Sequence, residues 1–247
     1  MTFRAKAGIA LAALAALGTA ALVQDSRSGE PPPIEPRAPA ERPELMLLTS
    51  LPIVFAEGFG LEGGGSAALK AMESRYRVRL ISIADAGSLN SGRLLLMAHP
   101  LAQPAEALVE LDAWVRSGGR VLLLADPRLE WAGERPLGDP LRPPPAFADT
   151  GLLRHWGLTL YAPEKPGRSQ RSLDGRQVAV NSAGELERSG NSPCAIAAQG
   201  LVARCTIGRG KATVIADADF LGVDDGGRWS EKRVDPLLAE LARLEKP

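Results

Sequence analysis

The chain has 247 residues, of which 45% are hydrophobic and 23% charged, as in ordinary globular proteins. Its formal net charge is zero, so it has no basic field that would attract nucleic acid. A domain of roughly 200 residues can bury a sizeable core without cross-links or a structural metal. We therefore predict one globular domain with additional segments and no nucleic-acid partner.

An uncharged apolar segment, residues 7–23, follows a short basic stretch at the N-terminus. Its seventeen residues would form a helix of roughly 25 Å, close to the bilayer core of about 30 Å. The segment is either an uncleaved anchor or a signal peptide cut near the small residues 18–21. A buried soluble helix is a third interpretation. We expect an inner-membrane protein with its domain in the periplasm, or a periplasmic protein if the segment is cleaved.

Residues 24–44 are rich in proline and charge and contain almost no apolar side chains. Such a composition cannot build a core and is typical of an extended, disordered tether. We therefore divide the chain into an N-terminal anchor or signal peptide (1–23), a Pro-rich linker (24–44) and an α/β domain (45–247).

The centre of the domain is predicted to be a strand, a helix and a second strand. Residues 93–98 and 120–125 are short apolar runs, whereas the segment that starts at Pro104 places apolar side chains at helical spacing. Two near-continuous apolar strands joined by one helix form a parallel crossover buried on both faces. The other predicted strands are 45–48, 77–83, 158–161, 176–180 and 211–216, and the other predicted helices are 66–76, 150–156 and 234–244. We expect turns or irregular structure at 85–92 and 130–149.

A glycine-rich loop occupies residues 51–65. It lacks the Lys-Ser/Thr ending of a P-loop, and its glycines do not follow the dinucleotide-binding spacing. We therefore interpret it as a flexible loop rather than a phosphate cradle.

Cys194 and Cys205 are the only cysteines in the chain. If the segment between them is a hairpin that turns at Gln199 and Gly200, the two cysteines lie directly opposite each other, with Cα atoms roughly 4.5–5.5 Å apart. Export would place them in an oxidising compartment. We predict a structural disulfide, because a catalytic or metal-binding thiol pair would need a different spacing.

Ligands of open α/β sheets bind outside the carboxyl ends of the strands. The predicted ligand or partner loops contain His99, Pro100, Asp126, Pro127, Asp217 and Asp219. The aspartates could converge at one edge of the sheet, where they could bind a cation or cap loops.

No Gly-x-Ser-x-Gly elbow is present, and no nucleophile is recognisable near His99. His155 lies beside Trp156 in a short apolar helix, and we predict a structural role for it. We predict no catalytic residue, no metal ion and no cofactor.

Two stretches suggest a family. Residues 93–127 contain Leu-Met-Ala-His-Pro, a helix and Ser-Gly-Gly-Arg-Val-Leu-Leu-Leu-Ala-Asp-Pro, and they resemble the auxiliary extracytoplasmic component of gliding-motility-type ABC transporters. Residues 207–220 resemble the second recurrent stretch of that family. The resemblance covers roughly residues 45–221. It implies a three-layer α/β sandwich with a mainly parallel sheet, flavodoxin-like or similar to class I glutamine amidotransferases.

The resemblance also implies a function. In the amidotransferases a cysteine occupies the elbow after the central strand, and here Asp126 and Pro127 take that place, which implies a non-catalytic member. The expected protein is a non-enzymatic, membrane-tethered extracytoplasmic domain that works with ABC permease and ATPase subunits. The alternative is an exported hydrolase or a small-ligand (sugar) binding protein that uses the strand-end loops.

Overall fold

The structure is a computed structural model that describes residues 31–54, 66–131, 135–136, 138–222 and 234–246. The apolar segment 7–23 and most of the glycine-rich loop, residues 55–65, lie outside the described residues. The predictions of an anchor or signal peptide and of a flexible loop therefore concern residues that the structure does not describe. Within the described ranges, no helix is long and apolar enough to cross a membrane.

Five helices and eleven strands make up the described part of the chain. The helices are α1 (Ala67–Glu73), α2 (Ala86–Leu89), α3 (Ala105–Arg116), α4 (Leu152–His155) and α5 (Asp235–Glu245). The strands are β1 (Glu44–Thr49), β2 (Arg77–Leu80), β3 (Leu94–Ala98), β4 (Arg120–Leu124), β5 (Leu158–Tyr161), β6 (Arg168–Leu173), β7 (Arg176–Asn181), β8 (Glu185–Arg188), β9 (Cys194–Ala197), β10 (Val202–Ile207) and β11 (Gly210–Ile215).

Seven strands form the main sheet in the order β2-β1-β3-β4-β11-β10-β9. The pairs from β2 to β11 are parallel, and β10 is antiparallel to both β11 and β9. Two antiparallel pairs, β5 with β8 and β6 with β7, lie outside this sheet. The predicted α/β domain with a mainly parallel sheet is therefore confirmed.

The core has two halves, one on each face of the sheet, because β3 and β4 are apolar at nearly every position and bury both faces. On one face the strands pack against α1 and α5. On the other face they pack against α2, α3, α4 and Trp156. Helices thus cover both sides of the sheet, and its carboxyl edge is left for loops.

Local chemistry sets the ends of these elements. The Ser66 hydroxyl accepts a hydrogen bond from the Leu69 N–H at 3.1 Å and caps α1, as predicted. At the start of β11, a Cβ on Gly210 would lie 2.0 Å from the Val115 carbonyl oxygen and 2.2 Å from that of Gly119. Only glycine lets β11 approach the α3–β4 turn so closely.

Several elements differ from the prediction. The expected turn at 85–92 contains α2, whose first turn is capped by the Asp85 carboxylate through the Ser88 N–H at 2.7 Å. β2 ends at Leu80 rather than at residue 83. β6 and β8 were not predicted, because both are largely polar and exposed and carry no apolar alternation.

The disulfide between Cys194 and Cys205 is present, with the two residues paired across β9 and β10 and their Cα atoms 3.9 Å apart. Ala198, Gln199 and Gly200 all have positive φ, so the turn lies where the cysteine register requires it. The predicted pairing is confirmed.

The second half of the Pro-rich linker, residues 31–43, lies against the domain. The Arg176 guanidinium donates to the carbonyls of Pro31 and Pro32, at 3.3 and 2.8 Å. Arg37 forms an ion pair with Glu245 at 2.8 Å. Composition predicted a tether without packing partners. The partners of the linker, Arg176 and Glu245, belong to the folded domain, so the composition of the linker alone does not predict these contacts.

Candidate binding site at the carboxyl ends of the parallel strands

A crevice of about 360 Å³ opens at the carboxyl ends of β1, β2 and β3. The chain leaves β1 for β2 on one side and then returns to β3 on the other, so the strand order reverses at this point. Such a reversal is where open α/β sheets bind ligands. The main apolar side chains of the wall come from Leu51, Pro52, Val54, Leu80, Leu101 and Leu141.

Three polar side chains of the wall, those of Thr49, Ser50 and Gln103, are engaged with the protein backbone. The Thr49 and Ser50 hydroxyls donate to carbonyls at the end of β3, at 2.8 and 2.5 Å. The Gln103 amide accepts one backbone N–H at 3.0 Å and donates to one carbonyl at 3.1 Å. The crevice therefore offers an occupant mainly apolar surface.

Three leucines at the crevice are unusually exposed. Leu80, Leu101 and Leu141 retain 51%, 54% and 66% of their accessible surface. Arg135 also lines the crevice and forms an ion pair with Asp139 at 3.3 Å. Exposed apolar side chains grouped around a concave surface are typical of binding sites.

Asp126, Asp217 and Asp219 do converge, as predicted from their positions after β4 and β11. One carboxylate oxygen from each lies within 4.8 Å of the others. Both oxygens of Asp126 accept backbone N–H groups, from Arg128 and Ala218, each at 2.8 Å.

Asp217 and Asp219 are engaged in the same way. Asp217 accepts from Asn181 at 3.0 Å and from Phe220 at 3.2 Å. Asp219 accepts from Glu130 at 2.9 Å. The cluster ties together the loops after β4, β7 and β11, which is the loop-capping interpretation, and its oxygens are also of the kind that could hold a hard cation.

Burial is the largest influence on the pKa values of Asp126 and Asp217. It raises the pKa of Asp126 to about 6, although backbone hydrogen bonds act in the opposite direction. Burial, and then the negative charges of Asp126 and Asp219, hold the pKa of Asp217 well above its usual range. A cation that bound here would have to displace the proton that burial favours on Asp217.

His99 is fully buried, and its backbone adopts a left-handed conformation with φ of 46°. Its Nε2 lies 2.9 Å from the Pro144 carbonyl oxygen and must be the donor there, whereas Nδ1 has no hydrogen-bond partner among the described residues. Burial lowers the pKa of His99 and so favours the neutral imidazole.

This imidazole holds the Pro-rich segment 138–147 against the strand ends. The Phe147 N–H, which donates to the Asp126 carbonyl at 2.6 Å, is a second attachment of the same segment. Because the segment contributes Leu141 to the crevice, His99 and Asp126 position one wall of it.

The structure thus divides the predicted loop residues between two places. Asp126, Asp217 and Asp219 form the cluster at the ends of β4 and β11, whereas His99 and the buried Pro100 lie at the end of β3. Pro127 packs close to Gly184, where a Cβ would meet its ring at 2.5 Å.

The crevice residues were not predicted, apart from their neighbourhood at the strand ends. Leucines in β2 and in loops carry no sequence signal that separates a crevice wall from ordinary core. His155 lies on the surface, 3.3 Å from the Asp112 carboxylate, and does not contribute to either place.

The sequence matches no protein-family model and no curated protein. Solved structures do resemble it. The mmIFT52 N-terminal domain is 13% identical with a TM-score of 0.51, over 83% of this chain and 100% of that one. The cytoplasmic protein STM1381 from Salmonella typhimurium LT2 is 10% identical with a TM-score of 0.51, over 82% of this chain and 100% of that one. At such identities the likeness concerns the fold alone.

Larger glycosidases contain a similar region. An exo-beta-1,4-mannosidase from Opitutaceae bacterium strain TAV5 is 14% identical with a TM-score of 0.44, over 72% of this chain and 31% of that one. A beta-galactosidase from Bacillus circulans sp. alkalophilus is 10% identical with a TM-score of 0.46, over 82% of this chain and 31% of that one. This chain therefore spans less than a third of these enzymes, and their activities carry no argument here.

Proposed function

We propose that this chain is a non-enzymatic extracytoplasmic domain, tethered to the inner membrane by its N-terminal segment, that serves as an auxiliary component of an ABC-type transport system. Its finer fold would be that of the class I glutamine amidotransferases, a flavodoxin-like sandwich. The strand order supports this: with β11 counted as the fifth parallel strand, the order is 2-1-3-4-5, as in flavodoxin-like sheets.

The proposal that the domain is not an enzyme rests on one observation: the polar side chains at the strand ends bond to the protein backbone. The Asp126 carboxylate, at the position of the expected elbow, has both oxygens on backbone N–H groups. The His99 ring bonds to one carbonyl and, among the described residues, has no partner on its other nitrogen. A nucleophile and its base need a mutual hydrogen bond, and these groups instead fix loop geometry.

The disulfide supports the extracytoplasmic part. Structural disulfides form and persist in oxidising compartments and are rare in the cytosol. The Cys194–Cys205 bond joins paired residues of the main sheet. A chain that matures outside the cytosol is the simplest source of this bond, and it agrees with an exporting N-terminal segment.

Affinity purification from native membranes in mild detergent tests the transport role. We expect the tagged protein to co-purify with an ABC permease and its ATPase. The control is an unrelated periplasmic domain fused to residues 1–44 of this chain, which should retain neither subunit. A partnerless protein, or equal recovery with the control, would remove the auxiliary role.

The crevice favours one alternative, the binding of a small ligand by an exported enzyme or binding protein. Its engaged polar groups suit an apolar ligand better than a sugar, which needs several convergent hydrogen-bond partners. Assays with generic ester and amide substrates test whether the protein is a hydrolase. Activity that disappears in Asp126→Ala or His99→Ala would replace our proposal, and we expect no activity to be found.

A further inference from the structure

β2 is an edge strand of the main sheet, and among the described strands it pairs only with β1. Arg77 and Ile81 donate their backbone N–H groups to the β1 segment, residues 43–49, each at 2.9 Å. Because a parallel ladder uses alternate residues of each strand, the amide groups of Val78 and Leu80 point away from β1.

The β2 edge ends at the crevice. Leu80 is the last residue of β2, is 51% exposed and lines the crevice wall. An extended segment that paired with Val78 and Leu80 would therefore run directly beside an apolar crevice. Strand addition works in this way, since the main chain supplies affinity and side-chain pockets supply specificity.

The charges on β2 indicate which kind of segment could pair with this edge. Arg77 and Arg79 are exposed on one face of β2, where Arg79 is paired with Glu44 at 3.5 Å, whereas Val78 and Leu80 share the other face. A second copy of this chain would bring two such arginine pairs together, which is unfavourable between paired strands. A segment in which acidic residues alternate with apolar residues would meet the arginines on one face and Leu80 on the other.

We propose that the β2 edge and the crevice together bind an extended segment of a partner protein with alternating acidic and apolar residues. The segment adds to the sheet beside β2 and places one apolar side chain in the crevice. This inference rests on the partner-binding function proposed above, and it names the surface and the chemistry of the contact.

Two synthetic peptides test the surface on the full chain in detergent. In the first, glutamate alternates with leucine or valine, and in the second, lysine replaces each glutamate. We expect saturable binding of the glutamate peptide, measured by fluorescence anisotropy, and at least tenfold slower hydrogen exchange in fragments that cover β2. No saturable binding, equal binding of both peptides, or protection elsewhere would overturn the inference.

Variants separate a specific contact from unfolding. Arg77→Glu should weaken the glutamate peptide at least tenfold and should gain binding of the lysine peptide, which a misfolded protein would not do. Leu80→Glu should also weaken binding. The matched control is Ile196→Glu in β9, the opposite edge strand, where we expect no change. Unchanged binding in Arg77→Glu would overturn the charge argument.

Co-purification of Arg77→Glu distinguishes this inference from the proposed function. ABC subunits retained as well as with the unchanged chain would overturn the β2 contact and leave the transport role standing. Peptide binding without any ABC subunit in the eluate would support the β2 surface and remove the transport role.

Discussion

Asp126 illustrates how a buried charge-bearing residue organises the strand ends. Its two carboxylate oxygens hold the backbone of the loops after β4 and β11, and its own carbonyl accepts the Phe147 N–H. The residue is fully buried, so removal of its side chain leaves these backbone groups away from bulk water.

Asp126→Ala should lower the free energy of unfolding by about 2–4 kcal/mol at pH 5, because it leaves two backbone N–H groups without an acceptor. Urea denaturation under oxidising conditions measures this. Glu187→Ala, on an exposed position of β8, is the control and should change little. A variant as stable as the unchanged chain would contradict the capping role.

The stabilising effect of Asp126 should depend on pH. Its pKa rises from 3.8 in the unfolded chain to about 6 in the folded one, so between these values the folded state binds more protons than the unfolded state. Stability is then lost as pH rises. The difference in unfolding free energy between the unchanged chain and Asp126→Ala should shrink by about 2 kcal/mol from pH 4 to pH 7. A difference that grows over this range would show that the carboxyl group is not buried as described.

Sequence reasoning located the aspartates because Asp-Pro and Asp-x-Asp follow apolar runs, and a strand end is a local property. It did not find Leu80, Leu101 and Leu141 as one surface. These residues belong to separate segments, and only the order β2-β1-β3 brings them together.

At the scale of elements, the contact between β11 and the α3–β4 turn depends on a missing side chain. Gly210→Ala should destabilise the domain by more than about 2 kcal/mol, because the atoms a Cβ would meet are backbone carbonyls that cannot move aside. Gly87→Ala in α2 is the matched control, since its nearest neighbour would be at 3.6 Å. Thermal unfolding of both proteins compares them, and equal midpoints would refute the close packing.

The disulfide stabilises the β9–β10 pair by closing a short loop. The cysteines are 11 positions apart, for which loop-closure entropy predicts about 2–3 kcal/mol. Replacing both cysteines by serine should lower the unfolding midpoint, and a reductant should then have no further effect. If reduction does not change the unfolding midpoint of the unchanged chain, the disulfide contributes little to stability.

Elements with a clear apolar pattern were predicted from sequence, and those without one were not. β3 and β4 are nearly continuous apolar runs, and α3 buries apolar side chains at helical spacing. β6 has the largely polar sequence Arg-Ser-Gln-Arg-Ser-Leu. It pairs with β7 through backbone hydrogen bonds, which do not depend on side-chain type and so cannot be predicted from composition. The short helix α2 was missed because only one of its residues, Leu89, is buried.

At the scale of the molecule, the docked residues 31–43 bear on the membrane tether that we propose. If residues 1–23 anchor the chain and residues 31–43 stay bound to the domain, the seven residues between them can span at most about 25 Å. A partner embedded in the membrane would then lie close to the domain at all times. This favours the contact that we propose, because a short tether raises the effective concentration.

Arg176→Ala should loosen the start of this segment, since the guanidinium bonds to the carbonyls of Pro31 and Pro32. We expect faster trypsin cleavage after Arg37, with the unfolding midpoint of the domain nearly preserved. Arg171→Ala, which removes an exposed contact to Gln199, is the control and should not change the cleavage. Equal cleavage rates in all three proteins would mean that Arg176 does not hold the linker.

The position of β11 also bears on how the chain acquires its structure. β4 ends at Leu124, but its outer neighbour begins only at Gly210. A nascent or newly translocated chain can assemble the first four strands and still present the bare side of β4, an apolar strand, to other chains. Closing such a distant pair is slow. We expect the yield of soluble protein to depend on how quickly the C-terminal strands arrive, more than on the stability of the finished sheet.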